Sequence, residues 1–313
     1  ILNWFPLKHY SKFLGLFLFL AGCGGILAQT PLTLLSHLIG WRWCFFIIAI
    51  VSILSSVLSL CFVRGNPVVY GYPAINESLS TNVNDSSLKQ KLNQLIKNMK
   101  TIIINSNFWL AAIFIFFSNG SFYNVTGIWG GPFLKDILGY SSIKASNALL
   151  GLSVGGLSGS LINPYLTDSL KLPRKWVIIT STIIATLCCI PLGFFTERLN
   201  FLLLIILFFI FSLTTNGFAA VVSPMVVQLF HPSAGSSVGG SLNCFGFLSL
   251  IIFMPLTGKI LDHFGTLPDN PNIHNPDGFK YGLWAFNICS LSFGTFFLLF
   301  FNNKKKKEVP LNS

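Results

Sequence analysis

The sequence predicts an all-α fold, a polytopic membrane bundle with eight transmembrane helices. Eight apolar stretches are each long enough to cross a bilayer, whose hydrocarbon core of about 30 Å needs roughly 20 helical residues. Hydrophobic residues make up 52 % of the chain and charged residues only 9 %, against roughly 25 % charged in a soluble domain. Because backbone groups in lipid must bond within their own helix, this pattern excludes a soluble enzyme.

The predicted spans, numbered 1 to 8 along the chain, cover residues 13–38, 43–63, 107–129, 145–166, 176–195, 201–222, 236–258 and 279–301. Spans 4 and 7 each carry two glycines four residues apart, Gly155 with Gly159 and Gly235 with Gly239. Small residues at this spacing let membrane helices approach closely. Both spans also end near a proline, and this correspondence hints at an internal repeat.

One long polar linker, residues 65–101, divides the chain. Residues 74–87 have no apolar period and are predicted to be flexible. A basic amphipathic helix on the cytoplasmic membrane surface is expected next, because apolar side chains fall on one face between lysines, namely Leu88, Leu92, Leu95, Ile96 and Met99. The chain thus divides into two helices (1–64), the linker (65–101), a six-helix bundle (102–303) and a basic cytoplasmic tail (304–313).

The basic residues are distributed unequally between the two sets of loops. Fourteen of the 20 lysines and arginines lie before span 1, between spans 2 and 3, between spans 4 and 5, or after span 8. Loops rich in Lys and Arg stay cytoplasmic. Both chain ends are therefore expected in the cytoplasm. The net charge of +11 then reflects orientation in the lipid bilayer, and no nucleic-acid partner is expected.

Four motifs, in this order, resemble the major facilitator superfamily. Residues 40–45 resemble the start of the family's sixth helix, 127–136 (GIWGGPFLKD) the end of its seventh, 230–243 the connection from its tenth to its eleventh, and 255–262 (PLTGKILD) the end of its eleventh. The resemblance covers nearly all of 1–303. It implies that spans 1 to 8 correspond to the family's fifth to twelfth helices. The chain is then expected to be a partial 6+6 transporter fold of bacterial type that is truncated at its N-terminus. The missing N-terminal helices of the same protein would be its partner.

Two departures from the family pattern affect function. The glycines of the family's cytoplasmic signature between spans 4 and 5 are absent, although Asp168, Arg174 and Lys175 remain. These three are candidate gating residues, since Asp168 could pair with a cation or cap a helix N-terminus; the alternative is a solvated loop carboxylate. Span 1 also lacks the Gly-Pro-x-x-Gly-Gly motif of drug/proton antiporters, which disfavours drug efflux.

The first residues allow a second interpretation. Lys8 and Lys12, a short apolar run and the sequence Leu20-Ala21-Gly22-Cys23 are typical of a bacterial lipoprotein signal. The apolar stretch continues well beyond Cys23, and seven more spans follow. A first transmembrane helix is therefore the favoured prediction.

Polar residues inside predicted spans are the candidate substrate site, because burying a polar group in lipid is costly. In span 3, Asn119, Tyr123 and Thr126 fall at i, i+4 and i+7, and Trp129 follows. Asn216 in span 6 and Gln29 in span 1 complete the set. In the family, spans 3 and 6 would line the central cavity. For every residue the alternative is a hydrogen bond between helices, which is favoured for Asn147 and Asn243.

The predicted function is secondary active transport of a small polar organic solute by alternating access, in the bacterial inner membrane. The sequence has no catalytic triad, metal-ligand spacing or phosphate-binding loop, so neither an enzyme nor a cofactor is expected. A transporter-like sensor remains the alternative, and a channel would need a continuous polar stripe. A proton carrier usually needs a membrane-embedded carboxylate. All nine acidic residues lie in loops or at helix ends, so a coupling carboxylate lies elsewhere or the protein is a uniporter or exchanger.

Overall fold

The computed structural model describes residues 4–5, 9–64, 71, 88–231, 234–268 and 270–302. Within these ranges the eight predicted spans are helical and long and apolar enough to cross a membrane, which confirms the predicted all-α membrane bundle. The spans are Lys12–Ile39, Trp41–Phe62, Ser106–Leu138, Ser142–Ser169, Arg174–Phe194, Phe201–Val227, Gly235–Phe264 and Pro276–Leu299.

Four spans are two helices joined by a short irregular segment. Span 1 divides into Tyr10–Leu27 and Thr30–Ile39, and the first of these helices continues through Cys23. The others have a π-helical or 3₁₀ segment between their two α-helices: Ser106–Tyr123, Asn124–Trp129 and Gly130–Leu138 in span 3; Phe201–Thr215, Asn216–Phe218 and Ala219–Val227 in span 6; Pro276–Phe279, Lys280–Ala285 and Phe286–Leu299 in span 8. Span 4 is the helix Ser142–Pro164 followed by the π-helical turn Tyr165–Ser169.

Side-chain caps mark the beginning of four spans. The side chains of Asn105, Ser141, Asn200 and Asn275 accept hydrogen bonds from backbone N–H groups of the first helical turn. Such caps satisfy donors that have no partner within the helix. The polar residues between the apolar stretches therefore determine where each span starts.

The two ends of the bundle differ in their connections. At the hairpin end, spans 7 and 8 are joined by a β-hairpin of β1 (Thr266–Leu267) and antiparallel β2 (Asn270–His274). At the opposite end, here the linker end, lies the amphipathic helix Leu88–Ile104, with Leu92, Leu95 and Ile96 exposed. Residues 74–87 and the tail 304–313 lie outside the described residues. The flexibility of residues 74–87 and the cytoplasmic location of the tail therefore stay predictions.

Spans 3 to 8 pack around two apolar cores. At the hairpin end, Trp284 of span 8 packs against Phe133, Phe208 and Phe211 of spans 3 and 6. At the linker end, a second core surrounds Phe114 and Phe218, whose ring centroids are 5.4 Å apart. Span 3 packs against spans 7 and 8, and span 5 against spans 6 and 8.

Span 4 packs against two neighbours, span 6 of the six-helix bundle and span 1 of residues 1–64. On one side Gly151, Gly155 and Gly159 lie against the backbone carbonyls of span 6, where an added Cβ would collide with the oxygens of Ile205, Phe209 and Leu213. On the other side span 4 packs against span 1, the only part of residues 1–64 in extensive contact with the six-helix bundle among the described residues. Gly239 of span 7 makes no comparable backbone contact, since a Cβ added there would meet only the Ser223 hydroxyl, at 3.7 Å.

Candidate functional site

Span 3 and span 7 form a seam that contains most of the predicted substrate residues. The Asn119 amide lies directly over Gly246, at a point where any larger residue would collide with it. The Tyr123 ring stacks on Phe247, with centroids 6.3 Å apart and planes at 23°. Both polar residues are half-buried. Among the described residues, neither the Asn119 amide nor the Tyr123 hydroxyl has a hydrogen-bond partner, so both can bind a solute.

The other two predicted substrate residues of this seam use their polar atoms in hydrogen bonds to the protein backbone. The indole Nε1 of Trp129 donates to the Met254 carbonyl at 3.0 Å, and its ring lies over Gly258. The Thr126 hydroxyl donates to the Phe122 carbonyl at 3.0 Å. Trp129 and Thr126 can therefore shape the seam but have less polar capacity left for a solute.

Asn216 and Gln29 lie elsewhere. Asn216 opens the 3₁₀ turn that interrupts span 6, and its amide lies against Gly156 of span 4. Gln29 lies at the break between the two helices of span 1, where its backbone carbonyl accepts a hydrogen bond from the Thr33 hydroxyl. The structure thus places the predicted substrate residues on three surfaces: the seam of spans 3 and 7, the seam of spans 4 and 6, and span 1.

A buried polar chain next to Tyr123 was not predicted. The Asn124 Nδ2 donates to the Thr257 hydroxyl at 2.8 Å, which donates to the Gly282 carbonyl at 2.9 Å. All of Asn124 is buried, and its Oδ1 has no partner among the described residues. This chain connects spans 3, 7 and 8. In the sequence, only the polarity of Asn124 within an apolar stretch indicates this chain of hydrogen bonds. Its two partners lie more than a hundred residues away along the sequence.

The predicted gating residues form an ion pair at the linker end. The Arg174 Nη2 lies 3.0 Å from the Asp168 Oδ1, and its Nη1 donates to the Gln228 side chain at 2.7 Å. Only 6 % of the Asp168 side chain is exposed, so it is a buried, paired carboxylate rather than a solvated one. Charge-assisted bonds of this kind are about twice as strong as neutral ones. Arg174 therefore joins the ends of spans 4 and 6 at the start of span 5.

Lys175 makes a separate contact. Its ammonium donates to the backbone carbonyls of Leu299 at 2.6 Å and Phe301 at 2.9 Å. A cation at a helix C-terminus satisfies carbonyls that have no partner within the helix. Lys175 thus fastens the end of span 8 to span 5 and does not contribute to the Asp168 pair.

Span 1 closes against the bundle at the linker end. Gly15 lies against the Ser160 carbonyl and the Pro164 ring of span 4, with no room for a Cβ. The Tyr10 hydroxyl hydrogen-bonds the Ser223 side chain of span 6. The contact is therefore close and partly polar.

At the hairpin end, side chains join span 1 to span 4. The Thr30 hydroxyl donates to the Asn147 Oδ1 at 2.7 Å, and the Thr33 and Ser146 hydroxyls are 2.9 Å apart. The structure thus places Asn147 in an interhelical hydrogen bond. Beside these bonds is a cavity of about 350 Å³ lined by polar residues, among them Ser36, His37, Lys135 and Ser142.

A side-chain hydrogen bond between Asp136 and His274 fastens the hairpin to the end of span 3. The His274 Nδ1 lies 2.7 Å from the Asp136 Oδ2, which also accepts from the His274 backbone N–H at 3.3 Å. The Trp129 ring meets the His274 ring edge-on, 6.3 Å between centroids. Asp262 is exposed at the same end. Within the described ranges, no three His, Cys, Asp or Glu side chains are placed to hold a metal ion.

The family is decided by a match over the whole chain. The profile of the Major Facilitator Superfamily matches residues 1–172 and 157–313. The chain belongs to the major facilitator superfamily. The predicted family is confirmed, and the multi-pass membrane protein is a transporter relative.

Three curated relatives are similar at lower coverage. A choline/ethanolamine transporter flvcr2a of Danio rerio is 27 % identical over 56 % of this chain and 37 % of the relative. A probable hexose phosphate transport protein of Chlamydia trachomatis is 24 % identical over 72 % of this chain and 52 % of the relative. A choline/ethanolamine transporter FLVCR2 of Rattus norvegicus is 24 % identical over 72 % and 40 %. The chain thus spans between 37 % and 52 % of the length of these relatives.

Proposed function

We propose that this protein is a secondary active transporter that moves a small polar organic solute across the membrane by alternating access. One observation carries the proposal: on the seam of spans 3 and 7, the half-buried Asn119 amide and Tyr123 hydroxyl have no hydrogen-bond partner among the described residues. Unsatisfied polar groups inside a membrane protein usually mark a substrate path. Family membership and three transporter relatives support the same function.

The chemistry of the seam favours a neutral solute or an organic cation. Tyr123 and Phe247 present stacked rings, and such rings attract ammonium groups through their faces. The predicted substrate residues include no Lys or Arg, which an anion such as a hexose phosphate would require. Among the substrates named for the relatives, choline and ethanolamine therefore fit this seam better. A phosphate-bearing substrate would need its basic partner from another part of the protein.

Alternating access would operate between span 1 and the six-helix bundle. In this proposal, residues 1–64 belong to one half of the transporter and residues 102–303 to the other. Span 1 contacts span 4 at the linker end through Gly15 and at the hairpin end through Thr30 and Asn147. Opening one end at a time would expose the seam to one side of the membrane. The Asp168–Arg174 pair would keep spans 4 and 6 moving as one body.

Orientation and location follow from the charge distribution. We infer that the linker end, with Lys97, Lys100, Lys171 and Arg174, faces the cytoplasm, and that both chain ends lie on that side. The resemblance of the motifs to bacterial family members favours the bacterial inner membrane. Cysteine probes at Ser87 and Asn270 in a cysteine-free background should label from opposite sides; labelling of both from outside would contradict this orientation.

Transport assays in proteoliposomes test the proposal. We expect the full-length protein to exchange radiolabelled choline or ethanolamine in preference to a hexose phosphate. Tyr123→Phe and Asn119→Ala each remove one partner of the solute, which costs about 1–3 kcal/mol, or roughly 5- to 150-fold in affinity. Tyr140→Phe, at the hairpin-end loop, is the matched control and should exchange normally.

Two outcomes would count against the proposal. Binding of a probe without flux would favour the sensor alternative, because a sensor needs the site but not the conformational cycle. Normal exchange by both Tyr123→Phe and Asn119→Ala would move the substrate site away from the seam of spans 3 and 7.

A further inference from the structure

A cavity of about 340 Å³ lies at the hairpin end, between the end of span 3, the end of span 5 and the start of span 8. This is the size range of pockets that hold small organic ligands. Its inner wall is aromatic, from the buried Phe133 and Phe279, and Phe194 and Phe195 are exposed at its edge. Among its described lining residues, span 3 contributes only Phe133 and Ile137, beyond Tyr123 along the span, and span 7 contributes none. The cavity therefore lies apart from the proposed substrate seam.

Four charged side chains line this cavity, two of each sign: Glu197, Arg198, Asp277 and Lys280. In the part of the chain that the structure describes, none of the four forms an ion pair. The Lys280 ammonium lies 5.3 Å from the centroid of the Phe194 ring. The lining is thus highly charged but has no net charge, which is an unfavourable site for a simple anion or cation.

A zwitterion matches this lining. We propose that the cavity binds a phosphoethanolamine group, with the phosphate between Arg198 and Lys280 and the ammonium at Glu197 and Asp277. Guanidinium and ammonium groups are the common protein partners of phosphate. Phe194 ends an apolar span, so the cavity lies where acyl chains give way to headgroups. A membrane phospholipid is one source of this group, and soluble glycerophosphoethanolamine is the other.

Lipid binding to the purified full-length protein tests the site. In native mass spectrometry with equimolar phosphatidylethanolamine and phosphatidylglycerol, we expect the wild-type protein to retain phosphatidylethanolamine. The double variant Arg198→Gln/Lys280→Gln should retain at least about fivefold less, because two charge contacts at an interface are lost. Lys259→Gln, an exposed lysine of span 7 at the same end, is the control and should behave like wild type.

A second variant tests the charge balance. Glu197→Gln/Asp277→Asn leaves Arg198 and Lys280 in place and gives the cavity a net positive charge. We expect its preference to change from phosphatidylethanolamine to phosphatidylglycerol. A site that only attracted phosphate would bind phosphatidylethanolamine equally well with and without the two carboxylates, and that result would overturn the zwitterion assignment.

Competition identifies the source of the group. Displacement of the bound lipid by millimolar glycerophosphoethanolamine would assign the site to soluble solutes as well, while retention would assign it to lipid alone; both results support a phosphoethanolamine site. Equal lipid retention by wild type, Arg198→Gln/Lys280→Gln and Lys259→Gln would overturn it, since the four charges would then be solvated side chains. A transport defect in the seam variants has no bearing on this result, so the two proposals fail separately.

Discussion

Span 4 packs against span 6 and against span 1 in two different ways. Against span 6 the contact is backbone on backbone, with Gly151, Gly155 and Gly159 pressed onto carbonyl oxygens. Against span 1 at the hairpin end the contact is made by side chains, with Thr30 bonded to Asn147. A Cβ added at Gly24 of span 1 would meet nothing within 4 Å, and one added at Gly25 would meet only the Ser153 hydroxyl, at 3.7 Å.

This difference separates a fixed surface from a movable one. Close backbone packing loses about a quarter to a half of its dispersion energy when a gap of about 0.5–1 Å opens between two helices. A hydrogen bond between membrane helices is worth only about 0.6 kcal/mol on average. We therefore propose that spans 4 and 6 move as one body, and that span 1 separates from them at the hairpin end during transport.

The largest effect is expected at the fixed surface. Gly155→Ala places a methyl group against the Phe209 carbonyl, and backbone cannot yield as a side chain does. We expect a loss of about 2–3 kcal/mol in stability, at the upper part of the range for overpacking. Thermal unfolding in detergent measures it. Gly240→Ala, where a Cβ meets nothing within 4 Å, is the control and should be neutral or stabilising.

An intermediate effect is expected at the Asp168 pair. Asp168→Asn keeps the shape of the side chain but removes a charged partner of Arg174, which costs about 1–2 kcal/mol. We expect lower thermal stability and slower exchange, with unchanged dependence of transport on the proton gradient. A change in proton dependence would instead place Asp168 in energy coupling and contradict its assignment to the fixed surface.

The smallest effect is expected at the movable surface. Asn147→Ala removes one interhelical bond to Thr30, so stability should fall by only about 0.6 kcal/mol. We expect a change in the exchange rate despite this small loss of stability, because in the proposed cycle the bond forms only while the hairpin end is closed. If Asn147→Ala destabilises the protein as much as Gly155→Ala, the two faces of span 4 do not differ in the way proposed.

The sequence predicts the eight spans and the glycine contact of span 4 because both follow from local pattern. Length and hydropathy identify a span, and Gly155 with Gly159 at four-residue spacing identifies a close approach. Predicted ends differ from the structure mainly where helix continues into polar residues, as in span 7, predicted to end at 258 and observed to end at Phe264. The apolar stretch ends there before the helical backbone hydrogen bonds end.

The partners of polar residues could not be predicted in the same way. Trp129 was expected to face substrate, but the position of the Met254 carbonyl that accepts from it depends on how span 7 crosses span 3. The π-helical segment Asn124–Trp129 also changes which residues share a face, since its turn is wider than that of an α-helix. The substrate face predicted from Asn119 and Tyr123 stays a prediction, although both side chains lie on the seam of spans 3 and 7.

Distances between spin labels test most directly whether span 1 moves on span 4. Labels at Ser36→Cys and Ser142→Cys of the cysteine-free full-length protein report the hairpin-end contact of span 1 with span 4, and labels at Ser142→Cys and Leu202→Cys report the contact of span 4 with span 6. By pulsed electron paramagnetic resonance in nanodiscs, we predict two distance populations for the first pair, with a ratio that choline or ethanolamine shifts. The second pair should give one population throughout. A single, unshifted population for the first pair under every condition would contradict the proposed alternating access.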